Sequence, residues 1–217
     1  MNLRIAKGKY CSRQITKEFS TKYNGFHDNI PIEEYYEFHK KIIEEMLRVS
    51  KITFYNIQFL TGNKQAFFKL IGHFHDKIKE FIVWDKEVAQ PAMQKNVLNS
   101  QFEVILVFDN ENAISRMFRE NSFDRGTLSN LWKIKRGKKI SKEHGAVFPE
   151  ELARKVILNF SKENEIILDP FLGTGTSGKV AFENNRKFIG FEQSNEYSKI
   201  SKDRISQINK IEIINLI

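Results

Sequence analysis

The stretch IILDPFLGTGTSGKVAFENNRKFIGFE, Ile166–Glu192, decides the fold. IILD is a short apolar run that ends in an acid. TSGKVAFENN has helical spacing, and RKFIGFE is a second short run that ends in a second acid. The unit reads as strand, tight turn, helix, strand. Gly173 and Gly175 let the backbone turn sharply and approach a ligand where a Cβ would collide. The helix that follows presents unpaired N–H groups and a partial positive charge. Asp169 closes the first strand beside the turn. Glu192 closes the second, where a carboxylate can accept both hydroxyls of a ribose.

Outward from this unit, strands and helices alternate. IPIEEYYEFHKKIIEEMLRVS is an amphipathic helix with Tyr35, Phe38, Ile42, Met46 and Val49 at helical spacing, and Pro31 suits its first turn. KITFYNI is β-branched and aromatic, hence a strand. NKQAFFKLIGHF is helical, with Phe67, Leu70, Ile71 and Phe74 on one side. EFIVW and FEVILVF are nearly continuous apolar runs, as in strands buried on both faces. FPEELARKVILNFS and NEYSKISKDRISQINK are helices on either side of the glycine unit. The alternation predicts a three-layer α/β domain with a mostly parallel, doubly wound sheet. The chain, 1–217, reads as one domain with a polar, basic insertion at about 109–143.

Composition bounds the partners. Hydrophobic residues make up 41% and charged residues 29%, which excludes wholesale disorder. The formal net charge of +8 favours polyanions such as nucleic acid, although a lysine-rich solvated surface carries the same charge. Cys11 is the only cysteine, so neither an intrachain disulfide nor a cysteine-based zinc site can form. No apolar run approaches a membrane span and the first residues lack a signal-peptide core, so the expected setting is cytoplasmic.

Gly173, Gly175 and Gly178 match the dinucleotide pattern G-x-G-x-x-G, but that match alone is weak. Asp169 lies where a pyrophosphate would pass and would repel it. It would instead attract a cation such as an amino group. The unit also comes last, so the rest of the sheet must come from upstream strands.

DPFLGTGTS following HGAVFPEELARKVI resembles the amino-group DNA methyltransferases whose motifs run in permuted order (the β-group), with the catalytic half before the cofactor half. The resemblance runs from about Tyr23 to Arg204 and implies an S-adenosylmethionine-dependent methyltransferase fold, with double-stranded DNA as partner. The family methylates the exocyclic amine of adenine (N6) or cytosine (N4), in restriction–modification or phage settings. The resemblance implies that Asp169, Phe171, Gly173 and Gly175, with Thr174 and Thr176 in the same turn, line the methionine and sulfonium end. It places Glu192 on the ribose, and His144, Phe148 and Pro149 along the cofactor. Without it, His144 would read as a helix-entry residue and Phe171 equally well as core.

The family's four-residue catalytic motif, Asp/Asn/Ser-Pro-Pro-Tyr/Phe, localises the lone pair of the amine and stacks on a flipped base. Pro31, Pro91, Pro149 and Pro170 are the prolines here and no two are adjacent, so the motif is missing from these residues. In NLRIAKGKYCSRQ the four slots hold Lys7, Gly8, Lys9 and Tyr10. Tyr10 stands in the slot of the stacking aromatic, or is an ordinary residue near a frayed terminus. Lys7 cannot replace the acid, because an ammonium has no acceptor. Truncation, degeneration to a binding module, and completion by another chain all fit; separately, the resemblance allows a homodimer, since many relatives pair up. NLRIA itself is expected to pair beside EIILD.

WKIKRGKKISK gathers Lys133, Lys135, Arg136, Lys138, Lys139 and Lys142 where the family places target recognition. Basic side chains there would neutralise phosphates, and the alternative is a solvated loop. Arg119 and Arg125 are weaker candidates. Asn56 and Gln58 end a strand on the rim of Asp169, while Asn99 and Glu103 belong to a substrate-side loop and its strand. The function expected is methylation of a DNA amino group. The alternatives are a non-catalytic DNA-binding module that keeps the cofactor pocket and an NAD-binding oxidoreductase.

Overall fold

The computed structural model describes residues 30–60, 62–90, 95–119, 121–137 and 148–208. The expected strand NLRIA lies outside the described residues, as do Tyr10, His144, Lys138, Lys139 and Lys142. The described residues form two compact units. One runs to Phe118 and includes Ser129–Lys133, and the other comprises Arg119–Leu128 and the residues from Ile134 onward. Each is described by itself. The stretch 109–143 contributes to both.

In the first unit, α1 (Ile32–Val49), β1 (Ile52–Ile57), α2 (Lys64–His73), β2 (Ile78–Gln90), β3 (Ser100–Asp109) and β4 (Leu131–Lys133) follow in order. The four strands form one sheet in the order β1-β3-β2-β4. β3 lies antiparallel to both β1 and β2, so those two run in the same direction with β3 inserted between them. β4 is parallel to β2. The sheet is therefore mixed, where strand–helix alternation predicted a mostly parallel one. The reason lies in the link between β2 and β3. Residues 91–99 are fewer than the dozen or so that a parallel crossover needs, so the chain returns antiparallel. Val104–Phe108 is buried along its whole run, as expected for a strand covered on both faces.

The helix α1 forms where the periodicity places it, but its buried stripe is Tyr35, His39, Ile43 and Leu47. Val49, expected on that face, is 51% exposed. A polar residue within the stripe had shifted the apparent apolar face by one position. Ile43, Leu47, Tyr55, Ile57, Phe67, Leu70, Phe74, Val104, Leu106 and Phe108 make one core. His39 is buried beside it and hydrogen-bonds through Nδ1 to the Tyr55 hydroxyl. Its Nε2 has no partner among the described residues. Burial pushes the imidazole down to a pKa of about 3, so it is neutral at physiological pH.

After β3, Asp109 organises the loop by accepting the backbone N–H groups of Glu111 and Asn112 at 3.1 and 2.8 Å. Lys79, whose side chain is 1% exposed, pairs with Asp109 at 3.1 Å. It also donates to the carbonyls of Asn112 and Ser115 at 2.6 and 2.9 Å. Burial pushes the Asp109 carboxyl upward, but the Asn112 N–H, Lys79 and the Glu111 N–H outweigh it and hold it below its usual range.

The second unit holds α3 (Glu150–Phe160), β5 (Ile166–Asp169), α4 (Thr176–Glu183), β6 (Lys187–Gly190) and α5 (Asn195–Ser206). β5 and β6 pair in parallel, joined through α4, in the crossover that the glycine unit predicts. Ala153, Ile157, Val180 and Ala181 form the core between α3 and α4, with Phe148, Ile167 and Phe188 packed against it. Arg186 is buried and has no carboxylate partner among the described residues. It donates to the carbonyls of Ser161 and Asn184, each at 2.6 Å, and so ties the end of α3 to the turn before β6.

Candidate functional site

The two acids of the glycine unit lie at the ends of two adjacent strands, Asp169 closing β5 and Glu192 just past β6. Glu192 follows β6, and its Oε2 accepts the N–H of Gly173 at 2.8 Å while its Oε1 accepts that of Ser194 at 2.7 Å. The Phe191 N–H donates to the Asp169 carbonyl at 3.0 Å, and the Leu172 N–H to the Phe191 carbonyl at 2.9 Å. The ends of β5 and β6 are thus stitched together directly beneath the turn. Gly173 has φ +56° and Gly175 φ +84°, both in the left-handed region where a Cβ is strained. A Cβ on Gly175 would also lie 2.8 Å from the Cβ of Ser201 in α5. The turn is therefore tight for two reasons, its own dihedral angles and the helix against it.

The third glycine of the pattern does a different job. Gly178 lies inside α4, and a Cβ there would meet Ile205 Cδ1 at 2.8 Å and Phe188 Cε1 at 2.9 Å. It allows α4 to pack closely against its neighbours, while Gly173 and Gly175 shape the loop.

Asp169 Oδ1 accepts the Phe171 N–H at 2.9 Å, and Oδ2 accepts the hydroxyl of Ser177 in the first turn of α4. Burial raises the Asp169 carboxyl above its ordinary value, and the nearby charge of Glu192 raises it further. The bonds from Ser177 and Phe171 offset only part of this. Among the described residues no Lys, Arg or His forms an ion pair with either acid. An under-compensated carboxylate beside a loop of bare backbone is a place for a cation or for polar hydrogens.

The remaining expected site residues fall in different surroundings. Phe171 is 51% exposed at the loop. Thr174 and Thr176 are buried, and their hydroxyls lie 3.4 and 3.5 Å from Nη1 of Arg204. Pro149 is the residue before α3, and Phe148 packs on the α3–α4 core. Lys133 lies on β4, a strand in a stretch read from the sequence as weakly periodic. Trp132 and Ile134 are buried and Leu131, Lys133 and Lys135 exposed, so Trp132–Lys135 alternates apolar and basic with the period of a strand. Arg136 is exposed. Asn56 donates to Glu103 at 2.9 Å, and Glu103 also pairs with the buried Lys86 at 3.3 Å.

Four residues on the helices around the loop escaped the sequence reading. Ser177 was hidden as an ordinary small residue of a helix start. Glu150, Lys179 and Arg204 looked like solvated helix charges. Glu150 accepts from Lys179 at 2.7 Å and from Arg204 at 2.9 Å. Burial raises the Glu150 carboxyl, but Lys179 and Arg204 outweigh it and leave it below its usual range.

Comparison with known proteins identifies the family and the fold. The family profile described as DNA methylase matches residues 13–203. The Type II methyltransferase M2.LlaDCHI of Lactococcus lactis subsp. cremoris is 33% identical over 139 residues, 60% of this chain and 52% of that enzyme. The chain spans about half the length of such curated relatives. The solved structure of the PvuII DNA methyltransferase (cytosine-N4-specific) matches with a TM-score of 0.66 at 17% identity, covering 88% of this chain and 81% of that one. The M1.HpyAVI–SAM complex matches with a TM-score of 0.60 at 18% identity, covering 80% and 93% respectively. These likenesses show the α/β fold of such methyltransferases, and the profile match extends over most of the sequence. The chain belongs to this DNA methylase family.

Proposed function

We propose that the loop between β5 and α4 binds S-adenosylmethionine, and that the chain serves methyl transfer to an exocyclic amino group of adenine or cytosine in double-stranded DNA, in the cytoplasm and within a restriction–modification setting. The observation that carries this reading is the pair of acids. Asp169 and Glu192 flank one glycine turn and have no ion-pair partner among the described residues.

The residues suit the ligand chemically. Each oxygen of Glu192 accepts one backbone N–H, which leaves lone pairs for two ribose hydroxyls. A ligand ammonium would meet in Asp169 a carboxylate that burial and Glu192 destabilise, and would restore its charged form. Phe171 offers an exposed ring beside the turn, and Phe148 and Pro149 with His144 complete the expected lining. When bound, the cofactor supplies an electrophilic methyl on sulfonium sulfur. The chain's own contribution is to bind and orient it. Lys133, Lys135 and Arg136, with Lys138, Lys139 and Lys142, would neutralise phosphates. A second reading, a module that binds cofactor and DNA without transferring methyl, is favoured by the absence of two adjacent prolines among these residues.

Calorimetry with S-adenosylmethionine and with NAD tests the site. Tight NAD binding without S-adenosylmethionine binding refutes it. Incorporation of radiolabelled methyl into mixed-sequence duplex DNA separates the two readings, because the binding module alone leaves the DNA unlabelled.

A further inference from the structure

We infer that Arg204 is a positioning residue for the glycine loop, holding it from behind without touching the ligand. The inference rests on the cofactor-loop reading. The Nη1 of Arg204 donates to the Thr174 carbonyl at 2.6 Å, and its Nη2 donates to Glu150 Oε1 at 2.9 Å. Glu150 in turn accepts from Lys179 at 2.7 and 2.8 Å. One carboxylate at the start of α3 thereby joins α4 and α5, and the guanidinium extends that joint to the loop.

Thr174 lies between the two glycines with left-handed dihedral angles, in the part of the chain with the least intrinsic stiffness. Its carbonyl belongs to the same planar peptide as the Gly175 N–H, which closes the turn onto the Leu172 carbonyl at 3.0 Å. Clamping one end of that plane fixes the other. Ser201, three residues before Arg204 and on the same helix face, packs against Gly175. A single face of α5 thus sets both the position of the loop and the orientation of its central peptide. The planar fork of Arg suits two acceptors in different directions, which a lysine ammonium matches poorly.

The test compares Arg204→Met and Arg204→Lys with Arg154→Met. Arg154 pairs with Glu183 at 2.9 Å across α3 and α4 and does not touch the loop. Amide hydrogen exchange of residues 170–176 is read in the free protein, and S-adenosylmethionine affinity by calorimetry. Arg204→Met is expected to speed loop exchange and to weaken the affinity, each by about tenfold, the effect of losing one charged hydrogen bond. Arg204→Lys should fall between, and Arg154→Met should lower the melting temperature while leaving the loop unchanged. Loop exchange in Arg204→Met equal to wild type, or increased no more than in Arg154→Met, overturns the inference. If the wild-type protein binds no S-adenosylmethionine, the cofactor reading fails, and the exchange measurement still decides whether Arg204 holds the loop.

Discussion

Substituting Gly175 with alanine separates the two roles assigned to the glycines of this unit. At φ +84° an alanine pays roughly 1–2 kcal/mol for the left-handed conformation. Its Cβ would lie 2.8 Å from Ser201 Cβ and 3.0 Å from Ser201 Cα. The second contact is with helix backbone, so α5 itself must move, at a cost of about 1–3 kcal/mol for overpacking. The lower entropy of the unfolded chain returns roughly 0.4–1 kcal/mol. The net expected loss is about 1–5 kcal/mol, against the roughly 5–15 kcal/mol that stabilises a domain. Gly178→Ala is the matched comparison. Its Cβ meets Ile205 Cδ1 and the Phe188 ring, side-chain atoms and not helix backbone, and alanine improves helix propensity by up to about 1 kcal/mol. Its net cost should stay below about 2 kcal/mol. Urea unfolding of both variants, followed by circular dichroism and by exchange of the α4 and α5 amides, gives the comparison. If Gly178→Ala is as destabilising as Gly175→Ala, the division between loop-shaping and packing glycines is wrong.

Lys79→Met should cost about 3–5 kcal/mol by stranding Asp109, with faster exchange across residues 110–118, and a loss below about 1 kcal/mol in urea unfolding would contradict the account of that loop. His39 has a folded pKa of about 3 against an ordinary 6.5, so the unfolded chain takes up the proton first and stability falls as pH drops between those values. The slope approaches about 1.4 kcal/mol per pH unit well below 6.5, and unfolding free energies of wild type and His39→Leu should differ by that slope from pH 4 to 6 and by none above pH 7. For Asp169 the folded pKa is raised, so stability falls as pH rises from the ordinary carboxylate value through the raised one, and Asp169→Asn should remove that dependence in the same titration and weaken S-adenosylmethionine binding. Replacing Lys133, Lys135 and Arg136 together by glutamine should reduce the slope of log affinity against log salt on duplex DNA by about 2–3, and an unchanged slope would exclude these residues from phosphate contact.

What could be read from the residues was what is local. The glycine unit showed its strand, turn, helix and strand, because turn glycines and a change of apolar period both lie within a few residues of each other. Strand direction is not local. Antiparallel β3 is betrayed only by the shortness of residues 91–99, and EFIVW and FEVILVF look alike whichever way they run. The buried stripe of α1 was misplaced because His39 counts as polar by residue type, yet its hydrogen bond with Tyr55 makes it acceptable in the interior. β4 was overlooked because lysines at alternate positions disguised a three-residue strand carrying a fully buried Trp132. Both acids of the candidate site were legible because strand ends are. The clamp was not, because Glu150, Lys179 and Arg204 are far apart in sequence and each has the ordinary look of a helix surface.

The distribution of charge around the glycine loop bears on whether the acids are functional or structural. Cations are available nearby, since Arg204 and Lys179 both pair with Glu150 and Arg204 also donates to the Thr174 carbonyl in the loop. Both pair with Glu150 and, among the described residues, neither reaches Asp169, whose donors there are one hydroxyl and one N–H and whose carboxyl burial raises. A carboxylate retained merely to hold a turn would gain from a neighbouring cation, because charge pairing offsets desolvation that otherwise costs several kcal/mol. Leaving it unpaired costs stability in the free protein and preserves an attraction for a cation that arrives from outside. The same reasoning applies to Glu192, whose oxygens are oriented by two backbone N–H groups and not neutralised. Under the proposed reading, two carboxylates without a cation partner among the described residues are what a positively charged nucleoside would find at this loop.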